Sequence, residues 1–284
     1  MRLSFTCKLE AWAIATGVGF ALLSLSVLFL SLLGWAKAFH IQVLLFVFAL
    51  VSGFALRASW RKKAPPAKND QPKDEALVSL APLEKGTLHF LIFFALIVAF
   101  LQCHSPPVAF DALSYHLTVP KATVLTGRLA ASPHILHSGF PFAQEMLFLV
   151  AFAVGSEGLA ALLHFVFLPL LLIVVFCEMK RLANEAVALR AVAAIVTMPA
   201  ILWLSTWAYV DMAASFYLSV AVVGLLRAEG RWPLVAALMA GHAVGHKYTM
   251  VLYVLLNFLP AAFIVAKNKK IGWQTLVLCV FLGF

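Results

Sequence analysis

Apolar runs approaching the ~20 residues that a helix needs to cross a bilayer recur along this chain, and they limit its fold more than anything else in it. They cover Ala11–Gly34, Ala38–Leu56, Leu88–Cys103, Leu159–Cys177, Ala188–Leu204, Trp207–Leu226, Pro233–His246 and Met250–Ala266. A ninth starts at Ile271 and stops with the chain at Phe284. As a helix it would be roughly 21 Å long against a ~30 Å hydrocarbon core, so the chain reads as a fragment of a longer protein. Only 12% of the residues are charged, about half the share of a soluble domain. The expectation is an all-α protein: a polytopic transmembrane helical bundle with an outer-face loop carrying juxtamembrane helices.

The net charge of +9 does not mark a nucleic-acid protein. The basic residues sit in short loops between apolar runs, with no patch interleaved with exposed aromatics. Nucleic acid is therefore excluded as a partner, and membrane lipids are expected. With the N-terminus in the cytoplasm, four of the 21 Lys and Arg residues fall outside: Lys37, Lys121, Arg128 and Lys247. The other seventeen fall inside, and this asymmetry sets the orientation. The expected location is the inner (plasma) membrane. The first run is too long for a cleaved signal and lacks a cleavage site, so it reads as a signal-anchor. Cys7, Cys103, Cys177 and Cys279 form no CxxC pair and read as small apolar residues.

The same charge count places Phe142–Gly155. This apolar stretch has 14 residues. If it crossed the membrane, Lys180 and Arg181 would fall outside. It is therefore expected to lie along the outer surface as an interfacial helix. Trp203, Trp207 and Tyr209 then form part of an outer aromatic belt. Residues 1–87 read as a transmembrane hairpin followed by a basic cytoplasmic linker, Arg57–Thr87. Residues 88–284 read as the main transmembrane module. Within it, the outer loop His104–Phe142 is long and rich in polar side chains, the kind of loop that carries function.

Candidate chemistry gathers in and around that loop. Asp111 opens a helix-like stretch with Ser114 and Tyr115 on its own face. It reads either as a helix N-cap or as a carboxylate acting as a base or holding a polar acceptor. Tyr115, His116 and Glu145 are candidate substrate contacts, Glu145 equally readable as a residue facing water. Asp211 lies near the outer start of the sixth apolar run, where an ionisable group faces a cavity or partner, or else reaches interfacial water. Lys247, followed by Tyr248, reads as a phosphate-binding point charge or as a snorkelling lysine. His242 and His246 are spaced i, i+4, a weak metal signal, and Gly241 and Gly245 form a small-xxx-small pair typical of close helix packing. No ligand spacing marks a metal site. The cofactor stays unknown, with a divalent metal left open.

Taken together these residues resemble the bacterial GT-C membrane glycosyltransferases, the group of protein mannosyltransferase-like and lipid A-sugar transferase-like enzymes. The resemblance rests on Phe110-Asp111-Ala112-Leu113-Ser114-Tyr115-His116, then Pro120-Lys121 and Gly127-Arg128-Leu129. It continues through Pro141 with Glu145, Tyr209-Val210-Asp211-Met212 and Gly245-His246-Lys247-Tyr248-Thr249, over roughly residues 88–270. It implies transfer of a sugar from a polyprenyl-phosphate-linked donor to a glycan, lipid or protein acceptor at the outer face. Asp111 matches the acidic motif of the first outer loop. Many relatives carry a second acidic residue beside the first, where this chain has Ala112, which argues against a paired-carboxylate metal site. The rival readings are a transporter or flippase for a lipid-linked or small polar solute and a catalytically silent scaffold. A transporter predicts polar residues lining a path across the bilayer; an enzyme predicts that Asp111 and Lys247 meet at one mouth.

Overall fold

The computed structural model describes residues 3, 5–60, 80–227 and 230–257, and these are helical or irregular, with no strand among them. Among the described residues these α-helices are delimited: α1 (Lys8–Leu33), α2 (Ala38–Trp60), α3 (Pro82–Gln102), α4 (Thr118–Thr126), α5 (Ala143–Ala153), α6 (Leu159–Phe165), α7 (Phe167–Leu182), α8 (Glu185–Val196), α9 (Pro199–Ser205), α10 (Asp211–Arg227) and α11 (Trp232–Val244). A π-helical turn, Ala112–His116, precedes α4, and residues 250–257 are helical again. Among the described residues three stretches are long and apolar enough to span a membrane: Lys8–Leu33, Pro82–Gln102 and Leu159–Leu182. This is a membrane protein by that measure, built of the element in which every backbone group bonds within its own segment. Most of the expected linker, residues 61–79, lies outside the described residues, as do 258–266 of the eighth apolar run and the whole of the ninth.

α1 is apolar all round, so polarity cannot decide which face it buries. Side-chain size decides. Ala13, Gly17, Ala21, Ser24, Val27 and Ser31 turn inward, while Trp12, Leu22, Leu25, Phe29 and Leu32 stay exposed. Small residues at this spacing let neighbouring backbones approach closely. At Gly17 a Cβ would stand 2.2 Å from Cε1 of Phe216, and the Tyr217 hydroxyl donates to the Gly17 carbonyl at 2.9 Å. α1 thereby joins α5, α7 and α10 in one core, where Phe167, Leu168, Phe216, Tyr217 and Trp232 are fully buried. α3 follows the same rule at the rim: only Ala95 and Ala99 are buried along it.

Two expected elements come out differently. The run Ala188–Leu204 is not one straight span. It breaks into α8 and α9, which meet at 67°, because Pro199 at the head of α9 cannot continue the hydrogen bonding of α8. The stretch 142–155 does form a short helix, α5, but it does not lie along a surface. Every residue of α5 except Phe152 is buried, since α1, α2, α4 and α6 enclose it.

Charges separate to the two ends of the bundle. At one end Arg227 bridges Glu10 and Glu178, donating to Glu178 Oε2 at 2.7 Å and to Glu10 Oε2 at 3.2 Å. Its guanidinium lies 4.7 Å from the Trp232 ring. Lys85 and Lys180 both pair with Glu185, and Arg190 pairs with Glu84, so five of the seventeen grouped basic residues, with Arg181 on Glu178, share this end. At the opposite end Gly34 ends α1 at φ 83 and Gly127 ends α4 at φ 85, and the two turns touch: Ala36 N–H donates to the Gly127 carbonyl at 2.8 Å. Asp111 and Lys247 lie at this second end.

Candidate functional site

The π-helical turn after α3 does the first positioning. Its wider winding closes an N–H to carbonyl bond from Leu117 to Ala112 at 2.9 Å and turns Tyr115 and His116 inward together. Such turns recur at functional sites. His116 Nδ1 meets Glu145 Oε1 at 2.6 Å, with side chains only 6% and 1% exposed. Glu145 comes from the first turn of α5, so the burial of α5 delivers the carboxylate to the imidazole. The Tyr115 ring lies 4.0 Å from the His116 ring on one side and 4.7 Å from His137 on another. Tyr209 stands 5.5 Å from His116.

The carboxylates surround this aromatic centre. Burial pushes the Tyr115 hydroxyl above its ordinary range, and the charges of Asp111, Glu145 and Asp211 push it further. Tyr209 is raised by burial, then by Asp111 and Asp211. Both aspartates therefore act on the same two phenols. Asp111 is exposed, in helical backbone conformation (φ −65, ψ −37), and its side chain caps nothing. The N-cap reading of this residue accordingly fails. Lys247 Nζ donates to Asp211 Oδ1 at 3.3 Å, with the pair partly exposed. Next to it, the Tyr248 hydroxyl donates to the Gly139 carbonyl at 2.7 Å, and the Phe140 and Tyr248 rings meet at 5.2 Å. This ties the loop after α11 to the loop before α5.

All seven residues singled out from the sequence thus fall at one end. Asp111, Tyr115, His116, Glu145 and Asp211 share one cluster. Lys247 joins it through Asp211, and Tyr248 latches its edge. The histidine pair is engaged within its own helix turn. His242 and His246 meet edge-on at 4.9 Å, with His246 Nδ1 on the His242 carbonyl at 2.8 Å. Among the described residues no three His, Cys, Asp or Glu side chains gather closely enough to hold an ion. Of the two small residues, Gly245 packs closely: its carbonyl accepts the Ala143 N–H at 2.9 Å, and a Cβ there would touch Ala143.

Three participants were not legible as such. His164, fully buried in α6, donates through Nδ1 to the Trp207 carbonyl at 2.8 Å and accepts the Met212 N–H at Nε2, 3.0 Å. The neutral imidazole thus caps the start of α10 and sets where Asp211 stands. Gln144 is fully buried beside Glu145, with neither amide atom hydrogen-bonded. Tyr209 appears in the sequence as a belt aromatic and within the Tyr209-Val210-Asp211-Met212 stretch, with no site role of its own. Nothing but a polar residue in an apolar run hinted at the first two. Chemically, the arrangement can accept a proton, orient a hydroxyl and offer one cation at a rim. No family model matches the chain, and no curated protein or solved structure is significantly similar to it.

Proposed function

We propose that the protein is a membrane glycosyltransferase of GT-C type, moving a sugar from a polyprenyl-phosphate-linked donor to a glycan, lipid or protein acceptor at the outer face of the inner membrane, with its N-terminus in the cytoplasm. The observation that carries this reading is the convergence of Asp111 and Asp211 on Tyr115 and Tyr209, with Lys247 paired to Asp211, at one end of a membrane bundle. A lipid-linked donor presents its phosphate at the interface. Transfer there needs an acceptor hydroxyl to be held and deprotonated, and a cation to receive the leaving phosphate. In this reading Asp111 is the acceptor-side carboxylate and Lys247 the donor-side cation; Tyr115, His116, Glu145, Asp211 and Tyr248 line the site. The transporter alternative calls for polar residues across the whole bilayer. Below Tyr217 and His242, α10 is instead packed through Val220, Ala221, Val223 and Leu225 before Arg227 is reached.

The test is transfer by full-length protein in nanodiscs, given labelled polyprenyl-phosphate sugars. Asp111→Asn preserves shape and removes charge. Transfer should fall by at least about 10-fold, the scale of a lost hydrogen bond to a charged group, with the thermal unfolding midpoint unchanged. Lys247→Met should mainly raise the donor KM. Near wild-type transfer by Asp111→Asn would move the carboxylate role to Asp211 or Glu145. Wild-type protein that transfers no sugar from any donor of the panel would remove the reading itself.

A further inference from the structure

The His116–Glu145 pair is a short, buried polar contact at this end of the molecule. With Glu145 ionised, its carboxylate can only accept, so the short 2.6 Å contact calls for the proton on His116 Nδ1 and leaves Nε2 as the lone-pair nitrogen of the neutral ring. That nitrogen has no hydrogen-bond partner among the described residues. It is also not sealed: the fully buried, unpartnered side-chain atoms are those of Gln144, Glu145 Oε2 and Trp207 Nε1, and Nε2 of His116 is not one of them. The ring plane is held by Tyr115 at 4.0 Å and Tyr209 at 5.5 Å. Glu145 is held in turn by the buried first turn of α5. Asp111, by contrast, is exposed and makes no side-chain hydrogen bond among the described residues. Effective proton transfer depends on a base fixed within hydrogen-bond reach of the proton it takes.

We infer that His116 Nε2, oriented by Glu145, is the base that deprotonates the acceptor hydroxyl, while Asp111 holds that hydroxyl from the exposed side. This inference rests on the glycosyl-transfer reading above. In the step, the acceptor O–H proton passes to His116 Nε2. The acceptor oxygen bonds to the anomeric carbon of the donor sugar, and the bond from that carbon to the phosphate oxygen breaks. Its electron pair leaves with the polyprenyl phosphate. The imidazolium so formed stands against the Glu145 carboxylate, whose charge offsets it, and then returns its proton to water. Glu145 is a positioning residue: it acts on the reaction through the histidine. Its unpartnered Oε2 and the Gln144 amide leave buried polar capacity next to the base.

The experiment uses the full chain in nanodiscs with labelled polyprenyl-phosphate sugars. His116→Gly should lower kcat by about 10²–10⁴-fold, and added imidazole should restore at least about tenfold of that loss, with 4-methylimidazole, the stronger base, restoring more. His116→Asn keeps a donor near the Nδ1 position without the Nε2 lone pair. It should fold, judged by its unfolding midpoint, and stay inactive with or without imidazole. Glu145→Gln should lower kcat with little change in KM, and should cost much less in the His116→Gly background than in wild type, since residues acting as a unit are not additive. Substantial transfer by His116→Asn would overturn the assignment, as would a folded His116→Gly protein that imidazole does not rescue. Failure of wild-type protein to transfer from any donor is a separate result, visible before any variant is made; it removes the glycosyl-transfer reading and this assignment with it.

Discussion

Tyr115 sits where the charges of the candidate site converge, and its chemistry follows from that position. Its hydroxyl is raised above the ordinary value near 10 by burial first, then by Asp111, Glu145 and Asp211. The folded protein therefore keeps a proton that the unfolded chain releases. This group's contribution to stability is complete below pH ~10 and is lost as the pH rises beyond it. Tyr115→Phe has no proton to lose. The thermal unfolding midpoint of wild type should fall more steeply between pH 9 and pH 11 than that of Tyr115→Phe; parallel alkaline slopes would contradict the placement of these carboxylates. The seven candidate residues were visible in the sequence as rare polar groups among apolar runs. Their pairing was not: Glu145 and His116 are 29 positions apart, and only the burial of α5 brings them into contact. The two buried partners, His164 and Gln144, do not stand out in the sequence, because one polar residue in an apolar helix is ordinarily a packed core residue.

At the scale of elements, spacing and side-chain size explain what polarity cannot. α1 crosses α10 at Gly17, where a Cβ would lie 2.2 Å from the Phe216 ring. That ring is itself wedged against Phe167 at 5.7 Å and Tyr217 at 5.2 Å, so it has little room to swing away. Gly17→Val should destabilise the protein by about 1–3 kcal/mol through overpacking, read as a lowered unfolding midpoint in detergent. Phe216→Leu in the same chain should recover part of the loss. Gly19→Val is the control, since a Cβ there meets nothing within 4 Å. Equal midpoints for the Gly17 and Gly19 variants would count against the crossing. Two element-level expectations needed correction for related reasons. Pro199 was a visible breaker, yet hydropathy averaged over 188–204 hides a kink of 67°. The shortness of α5 is visible in the sequence, but a short apolar helix can lie on a surface or be enclosed by its neighbours, and loop charges do not distinguish the two.

Across the whole molecule, the end opposite the candidate site is locked by buried charge. Glu10 is 0% exposed, Glu178 3% and Arg227 8%, and Arg227 joins the start of α1 to the ends of α7 and α10. Burying charges is costly, and removing one partner leaves the others uncompensated. Arg227→Met should cost about 3–5 kcal/mol, measured by thermal or denaturant unfolding. Adding Glu10→Gln and Glu178→Gln to it should return much of that stability. A single Arg227→Met variant as stable as wild type would mean that the cluster does not hold the bundle together.

The sequence alone determined the class of molecule, because an apolar run approaching the width of a bilayer can satisfy its backbone in lipid only as a helix. It also determined which charges belong together: Lys85, Lys180, Arg181, Arg190 and Arg227 do share one end, as their grouping among the loops implied. It could not say which face of an all-apolar helix turns inward, since hydropathy is uniform around it and only the fit of Gly17 against Phe216 chooses. Nor could it join His116 to Glu145 or Asp211 to Lys247. Those contacts link residues far apart in the chain, and the tertiary structure decided them through the burial of α5 and the capping of α10 by His164.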